Sequence, residues 1–334
     1  MKFTQEQVLF SATNPHEYHL ILLPTEKCNF RCVYCYEDHT KGRMSQETIG
    51  AIQNFLERQL ENLSHLTIDW FGGEPLLGIQ AIRSINGFAQ RYIRTHSPTT
   101  WFRSGMTTNA YLLKPDLFEE LSILGVNQYQ ITIDGPRDLH DTTRIQTNGS
   151  GSFDVIWANL LSMKKSAHLF DVLLRVHLTR STLPRIQEII DQITSEFGGD
   201  SRFKIFLKPV KNLGGDGAAF AEGEVLDGGD ELAAELEQRL LARNSFWQPN
   251  AICHASKFNS ILIRADGTIA KCTTALDDPM NDIGKILPDG RLQMDRSKVL
   301  KWSRGLFSMD EDELYCPLGG INKCAGCGEP AIAV

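Results

Sequence analysis

The chain has 334 residues, 42% of them hydrophobic and 22% charged, which is near globular averages and enough for a substantial core. At about 150 residues per domain, this length predicts two domains, or one large barrel with an appendage. With 34 basic and 41 acidic residues the net charge is −7, which argues against nucleic-acid binding driven by phosphate neutralisation. Short apolar runs then alternate with amphipathic segments along the chain. The runs Tyr18–Leu23, Leu66–Phe71, Trp101–Thr108, Gln128–Ile133, Val172–Thr179 and Lys204–Val210 predict strands. Between them, Ser45–Leu63, Ile79–Arg94, Pro115–Leu124, Phe153–Lys165 and Pro184–Phe197 predict helices, with Ser45 as an N-cap and Pro115 and Pro184 in first turns. Strands and helices alternating at this spacing predict repeated βα units on a parallel sheet.

That alternation breaks at Lys211-Asn212-Leu213-Gly214-Gly215-Asp216-Gly217, and an acidic helical stretch follows at about Asp230–Arg243. From Cys253 the texture changes to short strands and turns, with Asn259–Arg264 and Thr268–Cys272 flanking the turn Ala265-Asp266-Gly267. No apolar run approaches the roughly 18 residues that cross a bilayer, and Met1-Lys2-Phe3-Thr4-Gln5-Glu6-Gln7 is too polar for a signal peptide. A cytoplasmic location without membrane or nucleic-acid partners is the expectation.

The eight cysteines are unevenly placed. Cys28, Cys32 and Cys35 follow the first expected strand, while Cys253, Cys272, Cys316, Cys324 and Cys327 lie near the end. Two clusters in a chain without a secretory signal favour metal or cluster ligation over disulfides. Three close thiolates suit one zinc, with His39 as a fourth ligand, or three irons of a [4Fe–4S] cluster. A four-thiolate zinc site from Cys32, Cys35, Cys324 and Cys327 is the competing arrangement; it leaves Cys28 unexplained.

The loop Cys28-Asn29-Phe30-Arg31-Cys32-Val33-Tyr34-Cys35-Tyr36 resembles the signature loop of radical S-adenosylmethionine (SAM) enzymes. Phe71-Gly72-Gly73-Glu74-Pro75 resembles the GGEP motif, Thr107-Thr108-Asn109 ends the third expected strand, and Thr132-Ile133-Asp134-Gly135-Pro136 resembles Ser-x-Asp-Gly-Pro. The resemblance implies a partial (β/α)6 radical SAM barrel of α/β class. In it Cys28, Cys32 and Cys35 hold a [4Fe–4S] cluster, and the remaining iron chelates SAM and yields a 5′-deoxyadenosyl radical. It further implies SAM contacts at Tyr34, Gly72, Gly73, Glu74, Thr108, Asn109, Thr132, Asp134, Arg144 and Leu207. Arg144 would meet the SAM carboxylate, and Tyr34 and Leu207 the adenine. Arg175 and His177, two apart on the fifth expected strand, share a face that points either to substrate or to packed helices.

The segment Cys253-His254 … Gly267-Thr268-Ile269-Ala270-Lys271-Cys272 … Ile283-Gly284-Lys285-Ile286 … Cys316 … Cys324-x2-Cys327 resembles the SPASM and twitch extensions of peptide-modifying radical SAM enzymes. Five cysteines fully ligate one auxiliary [4Fe–4S] cluster and leave one over. Cys253, Cys272 and Cys327 are the expected ligands, with Cys316 or Cys324 as the fourth. Zinc is the alternative metal. The implied organisation is an extension at 1–14, a core barrel at 15–215, a bridging helical segment at 216–250 and a small SPASM/twitch-type domain at 251–334.

The implied function is hydrogen abstraction from a residue of a ribosomally made precursor peptide, forming a carbon–carbon, thioether or ether crosslink. Epimerisation is a second outcome. Anaerobic sulfatase maturases, which form formylglycine, are the near rival, but Thr273 replaces the acidic residue those enzymes carry after the cysteine matching Cys272. A non-enzymatic Fe–S electron carrier is the alternative of another class. The implied partners are the precursor peptide and a reductant such as flavodoxin or ferredoxin. About 17 residues precede the first expected strand, so leader recognition is assigned to a separate leader-binding protein or to the enzyme's own surface.

Overall fold

The structure, a computed structural model, describes residues 4–240 and 252–323. In chain order the elements are α1 (Gln5–Thr13), β1 (Glu17–Leu22), β2 (Phe30–Cys32), α2 (Gln46–Leu60), β3 (His65–Trp70), α3 (Ile79–His96), β4 (Trp101–Thr108), α4 (Pro115–Ile123) and β5 (Val126–Ile133). They continue with α5 (Arg137–Thr143), β6 (Arg144–Gln146), α6 (Phe153–Lys165), β7 (Asp171–Leu178), α7 (Ile186–Phe197), β8 (Phe203–Pro209), α8 (Ala218–Glu224) and α9 (Gly229–Leu240). After residue 251 come β9 (Ser260–Ile263), β10 (Thr268–Ala270), β11 (Gly284–Ile286), β12 (Leu292–Met294), α10 (Arg296–Trp302), α11 (Gly305–Ser308), α12 (Glu311–Tyr315) and α13 (Pro317–Lys323).

Side-chain periodicity explains the main elements. In α7, Ile186, Ile189, Ile190, Ile193 and Phe197 are buried at the spacing of one helical face. Ser45 caps α2, its Oγ accepting from the Thr48 amide at 3.1 Å. Along β8, and from Val172 to Val176 in β7, buried and half-buried residues alternate as a pleated strand requires.

The described residues gather into two compact units. The first takes residues 1–27, 40–104 and 248–334, and its strands run in the order β12-β11-β10-β9-β1-β3. Here β1 is parallel to β3, with Leu20 opposite Ile68, and parallel to β9, with Leu20 opposite Ile261. Antiparallel pairs then link β9 to β10, β10 to β11 and β11 to β12. The second unit takes Cys28–His39 and Gly105–Trp247, with β5, β7 and β8 parallel in that order and a separate antiparallel ribbon of β2 and β6. Strand β4 contributes its first four residues to the first unit and its last four to the second.

The expected cuts near residues 215 and 250 follow chain order, whereas these units do not. The segment after residue 251 shares a unit with β1 because β9 supplies β1 with a parallel neighbour. Among the described residues, no helix is long and apolar enough to cross a membrane.

Candidate functional site

The cysteine loop is held by short-range pairing, not by a long strand. In the β2–β6 ribbon, Cys32 lies opposite Arg144 and Phe30 opposite Gln146. The Val33 amide donates to the Thr143 carbonyl at 3.0 Å, and the Thr147 amide to the Asn29 carbonyl at 2.9 Å. Asn109 adds a side-chain tie, its Nδ2 donating to Asn29 Oδ1 at 2.8 Å. On the far side of the loop a Cβ on Gly217 would stand 2.4 Å from the Tyr34 carbonyl carbon, so only glycine fits there.

The three loop thiols are half-buried. The Phe30 amide points at Cys28 Sγ from 3.4 Å, as a backbone donor to a thiolate would. Burial pushes the Cys35 thiol up to about 12, with Glu37 adding to it, and burial also raises Cys32, against the opposing charge of Arg144. Bare thiols thus stay protonated, and a bound cation would reverse that order. Among the described residues no three Cys, His, Asp or Glu side chains converge as they do around a single metal ion. A [4Fe–4S] cluster instead gives each of the three thiolates its own iron, and this donor set fits it.

Beside the loop lies a buried polar network centred on Asp134, just past the end of β5. Tyr34 Oη donates to Asp134 Oδ2 at 2.5 Å, and Thr143 Oγ1 donates to the same oxygen at 3.0 Å. His177 Nδ1 stands 3.1 Å from Asp134 Oδ1, off the axis of an aligned hydrogen bond. Arg144 Nη1 donates to Tyr34 Oη at 2.8 Å, while its buried Nε has no hydrogen-bond partner among the described residues. Burial would raise the Asp134 carboxyl, but His177 and Arg144 outweigh it and hold the group well below the usual carboxylate range. Burial would likewise lower Arg144, and Tyr34, Cys32 and Asp134 outweigh it and keep the guanidinium charged. The result is a fixed cation with unused N–H groups behind the cysteine loop.

His140 completes the network and was not singled out from sequence. Its Nδ1 accepts from the Asp134 amide at 3.2 Å, and Nε2 faces Ser152 Oγ at 3.1 Å. Ser152 Oγ in turn donates to the Arg144 carbonyl at 2.8 Å. Burial, and then Arg144, depress this imidazole to about 4. The folded state therefore prefers the neutral ring, and the unfolded chain, titrating at about 6.5, binds the proton first. Stability from this group is complete above about pH 6.5 and is lost as pH falls toward about 4, by up to roughly 3 kcal/mol. Denaturant titrations at about pH 4.5 and about pH 7 should show that loss, and His140→Gln should shrink the difference. An unaltered difference in the variant would remove His140 as its source.

The other expected site residues are distributed as follows. Gly72, Gly73 and Glu74 belong to the first unit. Gly72 and Gly73 have φ of +83° and +41°, and a Cβ on Gly73 would stand 2.3 Å from the carbonyl oxygen of Lys27, the residue preceding Cys28. The Glu74 amide donates to that same carbonyl, and its buried carboxylate accepts from the Leu76 amide at 3.0 Å. Thr108 and Asn109 are buried in the second unit, and Thr132 Oγ1 accepts from Arg175 Nε at 3.2 Å. Leu207 pairs with Val176 and is buried on the face opposite Arg175, while Phe206 and Lys208 share the face of Arg175. The strand was found from its composition, but its side-chain parity was not. Arg175 and His177 do share the face that Tyr34 touches, its ring 4.7 Å from that of His177 and edge-on to it.

In the first unit, Cys253, Cys272 and Cys316 share one neighbourhood. Burial pushes the Cys253 thiol up to about 12, with Cys272 and Cys316 acting in the same direction. The turn at Cys272 is clamped by buried Asn281, whose Oδ1 accepts from the Lys271 and Cys272 amides at 3.0 and 2.8 Å and whose Nδ2 donates to the Cys272 carbonyl at 2.8 Å. Beside it, the buried Lys271 Nζ donates to the carbonyls of Ser260, at 2.7 Å, and Lys257. Cys253, Cys272 and Cys316 are donors of the kind a second cluster takes, and burial lowers the neighbouring Lys271 ammonium to about 7. Cys324 and Cys327 lie outside the described residues.

The radical SAM superfamily matches residues 22–188, half of the chain. The chain belongs to the radical SAM superfamily, whose members use SAM and a [4Fe–4S] cluster. Among curated relatives, a GTP 3′,8-cyclase of Picosynechococcus is 30% identical over 60% of this chain and 58% of its own. A cysteine-type anaerobic sulfatase-maturating enzyme of Clostridium novyi is 26% identical over 48% of this chain and 44% of its own. The chain spans between 34% and 64% of the length of the first curated relatives it matches. Among solved structures, anSMEcpe with bound AdoMet and Cp18Cys peptide superposes with a TM-score of 0.62, at 16% identity, over 86% of this chain and 82% of its own. Streptococcus suis SuiB bound to precursor peptide SuiA gives 0.57, at 14% identity, over 82% and 64%. These likenesses establish a mixed α/β radical SAM fold with a parallel sheet.

Proposed function

We propose that this protein is a radical SAM peptide maturase that abstracts hydrogen from a residue of a ribosomally synthesised precursor peptide and closes an intramolecular crosslink. The observation carrying the SAM part is the buried cation Arg144, fixed by Tyr34 behind the cysteine loop with N–H groups to spare. Cys28, Cys32 and Cys35 would hold the [4Fe–4S] cluster, which when bound supplies the electron that cleaves the SAM sulfonium. Arg144 would receive the SAM carboxylate, and Thr132 would offer a hydroxyl to the ribose. Asp134 takes a supporting part: Tyr34 and Thr143 both donate to its Oδ2, and the His177 ring stands beside its Oδ1.

The peptide part is supported by the grouping of Cys253, Cys272 and Cys316, and by peptide-bound solved structures of similar fold. A second cluster held by Cys253, Cys272 and Cys327, with Cys316 or Cys324 as the fourth ligand, would take up the second electron that a crosslink must dispose of.

The test is anaerobic: reconstitute the full chain with iron and sulfide, add SAM, dithionite and short peptides encoded beside the gene, and read products by mass spectrometry. 5′-Deoxyadenosine with a peptide two hydrogens lighter is expected. A fully loaded protein that forms no 5′-deoxyadenosine would return the assignment to an electron carrier. Arg144→Gln should weaken SAM binding about 10- to 100-fold, the worth of one charged hydrogen-bonded contact, with iron content unchanged. An unaltered SAM dissociation constant would remove Arg144 from that role.

A further inference from the structure

The geometry points to a carboxylate anchor formed by Arg175 and Lys208: the substrate presents an Asp or Glu side chain, or its own C-terminal carboxylate, to these two cations. This inference rests on the peptide-maturase reading and names what that site selects.

Register places the two cations together. Thr132 lies opposite Arg175 on β7, Arg175 opposite Phe206 on β8, and His177 opposite Lys208. Residues paired across parallel strands point to the same side, so Thr132, Arg175, His177, Phe206 and Lys208 share one face, with Arg175 and Lys208 as diagonal neighbours. The opposite face, with Ile131, Ile133, Val176 and Leu207, is at most 1% exposed and fully packed. Arg175, Phe206 and Lys208 are only half-buried, which leaves their face accessible.

Both cations have donors to spare. Arg175 uses Nε on the neutral Thr132 hydroxyl, and its remaining guanidinium N–H groups have no hydrogen bond among the described residues. Lys208 has none there either. The acids nearby are engaged: Asp230 pairs with Lys211 at 2.7 Å, and Asp134 is held by Tyr34, Thr143 and His177. Burial depresses both cations; Lys211 and Arg175 depress Lys208 further, against Asp230, and Arg144 opposes Arg175, against Tyr34 and Tyr36. An anion in reach of both would relieve that cost. SAM brings a single carboxylate, for which Arg144 is the partner, while its amino and sulfonium groups are cationic. The second anion therefore belongs to the substrate.

A phosphate is the poorer match. The glycine-rich stretch after β8 would be its natural cradle, but that space is filled by the chain itself. A Cβ on Gly215 would stand 2.6 Å from the Tyr36 carbonyl oxygen, and one on Gly217 meets the Tyr34–Cys35 backbone. A guanidinium fork beside one ammonium matches a carboxylate.

The test measures binding, not turnover, on the anaerobically reconstituted, SAM-loaded full chain. Four hexapeptides of one sequence carry Glu or Gln at a central position and a free or amidated C-terminus, and their affinities are measured by saturation-transfer NMR. At least one carboxylate should tighten binding about tenfold over the doubly neutral peptide, and the free-acid and Glu arms identify its source. Lys208→Met and Arg175→Gln should each abolish that preference, and Lys208→Met should leave the SAM dissociation constant unchanged. Equal behaviour of all four peptides, including no detectable binding, overturns the anchor. So does a loss of SAM affinity in Arg175→Gln with the preference intact, or stronger competition by inorganic triphosphate than by the acidic peptides. Failure of the maturase reading shows separately, as wild-type protein that forms no 5′-deoxyadenosine.

Discussion

Replacing Cys32 with alanine is expected to reduce 5′-deoxyadenosine formation at least about 1,000-fold, a barrier increase of roughly 4 kcal/mol. The reason lies in the loop. Cys32 closes the three-residue strand β2, and its backbone pairing with Arg144 uses no side chain, so alanine preserves the ribbon while removing one of three thiolates. Two thiolates cannot hold three irons, so iron bound at the first site should fall with activity. The iron content of the variant and the spin-resonance signal of its reduced form read the loss directly. Unchanged 5′-deoxyadenosine would overturn the assignment of the loop.

The second large effect is on stability and lies in the first unit. Glu26 and Arg264 form a two-pronged ion pair: Nε donates to Oε1 at 2.8 Å and Nη2 to Oε2 at 2.7 Å. The side chains are only 2% and 9% exposed, and Arg264 Nη1 also donates to the Leu276 carbonyl at 2.5 Å. Arg264→Met strands a buried carboxylate and should cost about 3–5 kcal/mol. Against a typical total of about 5–15 kcal/mol, that is enough to unfold much of the protein on modest heating. Glu26→Met together with Arg264→Met should recover most of the loss, because neither charge is then left unpaired. Denaturant unfolding of the two variants decides it; equal losses in both would mean that packing, not charge, is what Arg264 supplies.

Much of this architecture was legible in the sequence because it rests on periodicity. The six runs from Tyr18 to Val210 are strands in the structure to within two residues at either end, since pleated alternation and helical spacing are written locally. Cys28, Cys32, Cys35, Asp134 and Arg144 were visible because motif spacing is also local. What escaped depends on partners distant in the chain. The β2–β6 ribbon has three residues a side, too few for any period. His140 gains meaning only when α5 brings it to Asp134. Leu207 was chosen for its apolar character, but its direction follows from register with Val176, which composition does not encode. The burial of Lys271 likewise depends on distant partners, the carbonyls of Ser260 and Lys257 accepting from its Nζ.

The pairing of β1 with β9 has a consequence for synthesis. His19 and Ser260, opposite each other in that pair, are separated by 241 residues of chain. At about 5–20 residues per second, roughly 12–50 seconds pass on the ribosome between the appearance of β1 and that of its second neighbour. During that interval Leu20, Ile21 and Leu22 present one unsatisfied strand edge, a ready template for pairing with another nascent chain. The N-terminal half is therefore an obligate client of its own last quarter: yield should respond to chaperone supply and slow growth, and a gene shortened before residue 260 should give inclusion bodies, not a smaller enzyme.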